Sequence, residues 1–201
     1  MGSRMTDPLF DGDDEANTPL TEEEREQLIP TYISTREELN EAEQVNITRA
    51  LRWAARARAI DVFKDAHIRE LHRRMFEDVW KWAGLYRTTP RNIGIEAYRI
   101  PTEVRQLGDD ARYWADNAAY PEDECAVRFS HRLVSIHPFP NGNGRLSRIA
   151  GDLLAVKLGR PMFSWGKANL VDPGETRKEY IAALQAADAG EIAPILQFAR
   201  G

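Results

Sequence analysis

The 201-residue sequence has a single cysteine, Cys125, so no disulfide can form within the chain. That usage suits a reducing compartment, and the cytoplasm is the expected location. Long apolar runs are missing as well: no stretch approaches the roughly 18 residues of a membrane span. No positively charged segment leads into an apolar one near the N-terminus, as a secretory leader requires. A basic excess is also absent, because 27 Lys and Arg face 32 Asp and Glu for a net charge of −5. Nucleic acid and membrane are therefore not expected partners. The glycine-rich segment has no Walker A lysine, and His67 and His72 lie five apart, which does not give the one-face pair of HExxH.

What is present is globular. Hydrophobic residues at 42% and charged residues at 29% predict that most of the chain folds. Residues 1–19 are the exception. Asp11, Asp13, Asp14 and Glu15 crowd there with Gly12, Asn17 and Pro19, too little apolar surface to offset ordering entropy. That acidic cluster lacks EF-hand spacing. The expected organisation is a disordered acidic tail over 1–19, an N-terminal segment over 20–45, and one domain over 46–201.

The fold class read from periodicity is all-α. Ile68, Leu71, Met75, Val79 and Trp82 recur at three and four residues, as on one buried helix face. Ala126, Phe129, Leu133 and Ile136 do the same, as do Leu146, Ile149, Leu153 and Val156. Ile181 and Leu184 lead into Ile192, Ile195 and Ala199 near the end. A helix from about Glu41 to Ile60 would turn Val45, Leu51 and Ala54 inward and Arg49, Arg52 and Arg56 outward. Ser34-Thr35-Arg36-Glu37 has capping-box spacing, predicting a short helix that opens there with Glu37 returned to the backbone. Only 84–101 breaks the pattern: Gly84, Pro90, Gly94 and Pro101 exclude a long helix, and an irregular β-hairpin is expected. The five tryptophans, at helical spacing among apolar residues, read as core.

Chemistry concentrates in His137-Pro138-Phe139-Pro140-Asn141-Gly142-Asn143-Gly144-Arg145-Leu146-Ser147-Arg148. The prolines stop one helix and stiffen the loop. Gly142 and Gly144 permit a tight turn and close approach to a ligand. A new helix then begins, and its unpaired N–H groups and positive dipole end attract anions. Arg145 and Arg148 lie three apart on that first turn and are expected on the same side. Cations there oppose the dipole, so an anion should compensate them, and arginine suits phosphate. His137 at the rim is the natural proton acceptor at neutral pH. A base beside a polyphosphate cradle suggests a hydroxyl attacking phosphorus. His67, His72 and His131 read as structural.

The string resembles the Fic signature HPFx[DEN]GNGRxxR through His137, Pro138, Phe139, Gly142, Asn143, Gly144, Arg145 and Arg148. The surrounding chain, about Ser34 to Arg200, is similar to short bacterial Fic proteins of the "mobile mystery protein B" type. The resemblance implies a Fic-fold helical bundle and a protein adenylyltransferase that uses ATP with Mg²⁺. In that reading His137 deprotonates a Ser, Thr or Tyr hydroxyl of a target protein. Backbone N–H groups at Gly142, Asn143 and Gly144 bind the phosphates, Arg145 holds the phosphate chain, Arg148 engages the γ-phosphate, and Phe139 is a buried anchor. Asn141 stands where many members place a metal-binding carboxylate, and an amide is a weaker ligand for a hard cation. Gly84-Leu85-Tyr86-Arg87 and Asn92-Ile93-Gly94-Ile95 look like the flap that docks a target by strand addition. The base would be lined by the helices after Arg148 and by 163–170.

Ser34 and Glu38 resemble the inhibitory pattern [ST]xxxE[GN], with Leu39 in place of the usual Gly. Glu38 would then pair with Arg148 and block the γ-phosphate position, an N-terminal autoinhibitory helix. Alternatives stay open: transfer of UMP, phosphate or phosphocholine, AMP removal, or a nucleotide-binding interaction protein without catalysis. The target, self-modification and assembly into a homo-oligomer are left open too.

Overall fold

In the computed structural model of the protein, residues 22–56, 60–166 and 173–201 are described. The acidic tail expected over 1–19 lies outside them, as do residues 167–170. The described chain forms α1 (Glu22–Gln27), α2 (Arg36–Arg56), α3 (Asp65–Phe76), α4 (Ile100–Asp116), α5 (Glu122–Ile136), α6 (Asn143–Lys157), α7 (Pro173–Asp188) and α8 (Ala193–Arg200). A single 3₁₀ turn, Ala97–Arg99, leads into α4.

Helix α6 sits at the centre. It packs along α5 and touches α3; α4 flanks α5, α2 pairs with α3, and α7 with α8 closes the far side against α5. Leu146, Ser147, Ala150, Gly151, Leu154 and Ala155 are all buried, so α6 is enclosed on most of its circumference. This is why its expected stripe was incomplete: Val156 is exposed, and Ile149 and Leu153 are only half-buried. A helix enclosed by neighbours need not show one apolar face. The stripes of α3 and α5 match their burial, with Ile68, Leu71, Met75, Ala126, Phe129 and Leu133 in the core. In α7 the inward residues are Tyr180, Ala183 and Ala187, and Ile181 is exposed.

Two expectations about the N-terminal half need correction. The short helix at Ser34 and the helix from Glu41 are one continuous α2. Its inward face is Leu39, Glu43, Asn46, Ile47, Ala50 and Ala54, and Val45 points to solvent. The β-hairpin over 84–101 is absent: among the described residues this segment forms turns and bends with no strand. Its backbone bonds go elsewhere. Arg87 N–H donates to the Pro138 carbonyl at 2.9 Å and Ile95 N–H to the Ile136 carbonyl at 3.3 Å. A segment that spends its hydrogen bonds on the α5–α6 turn has none left for a ladder of its own.

The tryptophans are core or core-facing, as expected: Trp80 and Trp165 are buried, and Trp53, Trp82 and Trp114 pack against the buried cluster. Asp152 fixes the segment after α6, accepting from Phe163 N–H and Trp165 Nε1, each at 3.0 Å.

The C-terminal helix is clamped by charge. Asp123, in the first turn of α5, accepts from Arg160 Nε at 3.0 Å and Arg200 Nε at 2.9 Å, while Arg200 Nη1 also donates to the Pro161 and Met162 carbonyls. The Arg200 hydrogen bond, more than any other contact, holds the Asp123 carboxyl at about 2, below its ordinary 3.8. A depressed carboxyl pKa stabilises the fold above the unfolded value, and that contribution is lost as pH falls toward the folded one. Urea midpoints of wild type and Asp123→Asn should therefore differ above about pH 4 and converge as pH drops toward 2. A gap that stays constant through this window shows that the carboxylate charge adds nothing.

Candidate functional site

The turn between α5 and α6 begins with a strained residue. His137 caps α5 in the left-handed conformation, φ 54° and ψ 60°, which costs a non-glycine residue about 1 kcal/mol or more. Neighbouring bonds hold it there: His137 N–H donates to the Leu133 carbonyl at 3.3 Å, and its own carbonyl accepts Arg87 Nε at 2.7 Å. Phe139 follows, fully buried and stacked on His72 with ring centres 3.7 Å apart. It is the anchor the sequence suggested. Asn143 then closes the loop: its Oδ1 accepts Phe139 N–H at 2.9 Å and its Nδ2 donates to the Phe139 carbonyl at 2.8 Å. Gly142, φ +78°, lies over Phe76, where a Cβ would fall 2.4 Å from the ring.

Helix α6 starts with no side-chain cap, so its leading N–H groups point from a positive dipole end. Of the three expected anion donors, the Gly142 N–H is already bonded to Asn141 Oδ1 at 2.7 Å. The donors that remain are those of Asn143 and Gly144. His72 supports this register from below. Its Nδ1 accepts Gly84 N–H at 2.9 Å, so the proton sits on Nε2, which donates to the Asn141 carbonyl at 3.1 Å. Burial keeps the ring neutral, with its pKa down to about 3. His67 and His131 are structural, binding Asp61 N–H and Asp188.

Among the described residues the two arginines turn to different neighbours. Arg145 lies over the Phe76 ring and forms an ion pair with Glu43, whose side chain is only 3% exposed. Glu43 in turn accepts Trp80 Nε1 at 2.6 Å. Arg148 is buried with its guanidinium 5.4 Å from the centre of Tyr180, on the side of α7. The shared side expected from their three-residue spacing is thus replaced by a fork. The compensating anion predicted for cations at this helix start is a carboxylate of α2.

Glu38 does not reach Arg148. Its carboxylate folds back on the start of α2, accepting Ser34 N–H at 2.7 Å, Ser34 Oγ at 3.0 Å and Thr35 N–H at 3.1 Å, while Thr35 Oγ1 accepts Glu38 N–H. The capping box is therefore Thr35 with Glu38, one residue later than expected, and Glu37 is not its acid. These bonds, the Ser34 backbone donor foremost, lower the Glu38 carboxyl below its ordinary range.

His137 is half-buried. Desolvation first, then the Arg87 charge, lowers its pKa to about 4, with Arg91 adding to the effect and the Val134 carbonyl opposing it. At neutral pH it is an uncharged acceptor. Beside it the flap leaves Ile93 exposed and Ile95 half-buried. The donor set for Mg²⁺ does not fit a protein-held ion: Asn141 commits its oxygen to Gly142, and no cluster of three metal-binding side chains occurs among the described residues. The base-lining segment is core where it is described, with Phe163 and Trp165 buried.

Sequence reasoning missed Glu43 entirely and gave His72 and Arg87 no role in the turn. For Glu43 a signal existed: it falls in register with Leu39, Ile47, Ala50 and Ala54, a carboxylate on an apolar stripe.

Known proteins resemble this chain in sequence and in fold. Residues 62–155 match the model of the Fic/DOC family. Over 135 residues the chain is 33% identical to a protein adenylyltransferase fic-1 of Caenorhabditis briggsae, covering 65% of this chain and 25% of that protein. The chain thus spans a quarter of the length of the curated relative. Among solved structures, Fic-1 (residues 134–508, E274G) of C. elegans superposes with a TM-score of 0.66 at 25% identity, covering 81% of this chain and 48% of the other. The BepC protein of Bartonella tribocorum, solved with AMPPNP bound, superposes at 0.67 with 20% identity, covering 92% and 91%.

Gly142→Ala tests the turn itself. The added methyl meets Phe76 in a left-handed backbone, so affinity for inorganic pyrophosphate should fall at least about tenfold by calorimetry, with helix content retained. Unchanged affinity would show that anions bind elsewhere.

Proposed function

We propose that this chain, whose residues 62–155 match the Fic/DOC family model, transfers AMP from ATP to a side-chain hydroxyl of a target protein. One observation carries the reading: a neutral, half-buried imidazole and an uncapped helix start occupy the same clasped turn. The relatives named as adenylyltransferases and the AMPPNP-bound structural neighbour support the nucleotide assignment.

The chemistry follows from the geometry. His137 takes the proton of the target hydroxyl as its oxygen attacks the α-phosphorus. The new P–O bond joins AMP to the target, and the bond to the β-phosphate oxygen breaks with its electron pair leaving on pyrophosphate. The Asn143 and Gly144 N–H groups stabilise charge on the phosphates, and Arg145, once released from Glu43, takes the phosphate chain with Arg148 in the role the family resemblance gives it. Mg²⁺ would arrive with the nucleotide, and no step here depends on the protein holding it. The target lies against the flap at Ile93, Gly94 and Ile95. The cytoplasm suits the buried Cys125, whose thiol burial raises to about 11, too high for easy oxidation. No described helix is long and apolar enough to cross a membrane.

Autoinhibition belongs to Glu43 in this reading. Arg145 cannot grip phosphate while its guanidinium is paired with a buried carboxylate, so α2 restrains the site through that ion pair. Glu43→Gln keeps an acceptor for Trp80 and removes the charge, and incorporation of label from α-³²P-ATP should rise several-fold. Glu38→Ala should fray the start of α2 and leave incorporation unchanged. The opposite ranking would return the brake to Glu38.

His137→Ala should abolish incorporation, and intact mass identifies the group added to the target. Wild-type rate should hold level across neutral pH and decline only as pH nears 4, because protonation removes the acceptor. A mass other than AMP, or full activity in His137→Ala, overturns the assignment.

A further inference from the structure

Arg87 is a buried cation held without a carboxylate. It is 3% exposed, and among the described residues it has no ion pair. Its guanidinium instead collects backbone carbonyls from two sides. Nε donates to His137 at 2.7 Å, Nη1 to Thr89 at 3.0 Å, and Nη2 to Ile95 and, at 3.5 Å, to Ile136. Gly94, φ +93°, allows this closeness: a Cβ there would lie 2.6 Å from His137 Cβ and 2.9 Å from Arg87 Nη2. Burying a charge with no carboxylate in direct contact is expensive, and an apolar side chain of similar length would fill the space at less cost. Packing alone does not account for it.

We propose that Arg87 is a positioning residue with two separable parts: its fork clasps the flap to the turn at His137, and its fixed charge, packed against that turn, adds to burial in disfavouring a second proton on the imidazole. Guanidinium is suited to both, since it offers five donors in a plane and does not lose its proton. The charged groups acting on the ring are Arg87 and Arg91, both of the flap segment; α5 presents only the Val134 carbonyl, and Glu96 acts on Arg87 rather than on the ring. Thus the segment proposed to meet the target also contributes, after burial, to the state of the base. The proposal concerns His137 as the acceptor and so rests on the AMP-transfer reading for its purpose, though not for its test.

Two variants of the full chain separate the parts, with NMR titration of the His137 imidazole and hydrogen exchange of the Ile95 amide as readouts. Both are measured without nucleotide or target. Arg87→Met removes charge and fork: the His137 pKa should rise measurably above about 4 while staying below its ordinary 6.5, because burial of the ring remains, and Ile95 exchange should accelerate. Arg87→Lys retains charge and loses the fork: the pKa should stay near that of wild type while Ile95 exchange accelerates as in the Met variant. In activity assays Arg87→Lys should raise KM for the target more than KM for ATP. An unmoved His137 pKa in folded Arg87→Met, or full Ile95 protection in Arg87→Lys, overturns the proposal. Should Arg87→Met fail to fold, the lysine variant decides by whether pKa and exchange part company. Failure of AMP transfer leaves both NMR readouts intact, so the two ideas fall separately.

Discussion

The site depends on the clasp between the Asn143 amide and the Phe139 backbone. Two hydrogen bonds inside the core convert a proline- and glycine-rich loop into a fixed turn, and every other feature takes its place from that turn. They set where α6 begins, and hence where its leading N–H groups point. They press Phe139 against His72, which steadies the Asn141 carbonyl through its second nitrogen. They also leave His137 as the residue that caps α5, in a conformation that neighbouring carbonyl and guanidinium bonds must maintain. Buried amide bonds of this kind are costly to break one at a time, which favours a single arrangement over a mobile loop.

Around this rigid centre the charges are arranged to be uncomfortable. Arg145 stands at the positive end of a helix, Arg87 lies in the interior beside carbonyls, and the His137 imidazole is uncharged. A protein selected only for stability would discharge such groups. Here each sits within reach of the same turn, and the carboxylate that relieves Arg145 comes from a different helix, α2. Helix α2 packs on α3 and α3 touches α6, so the carboxylate that pairs with Arg145 is carried by a helix of the same packed body.

The helical body was legible where helices are amphipathic. The stripes of α3 and α5 follow burial because each has one wet face. The reading slipped where that condition fails: α6 is enclosed, and α2 was read in the wrong phase, with Val45 inward. That error hid Glu43, and with it the partner of Arg145. The turn itself was legible because proline, glycine and asparagine have narrow backbone meanings. What composition could not reveal was connectivity over distance. Glu43 and Arg145 are separated by 102 positions, and the flap's hydrogen bonds go to α5 rather than to a strand partner. Short-range spacing likewise misplaced the capping acid by one residue, since Glu37 and Glu38 offer the same side chain.

The Glu43 carboxylate serves the Trp80 indole as well as Arg145, and Trp80 stacks on Trp82 at 4.9 Å. Anything that draws α2 away from the turn must strip that indole of its acceptor. The two chromophores would register the event in their emission, so the molecule carries an optical gauge of whether its arginine is engaged or released, with no dye attached.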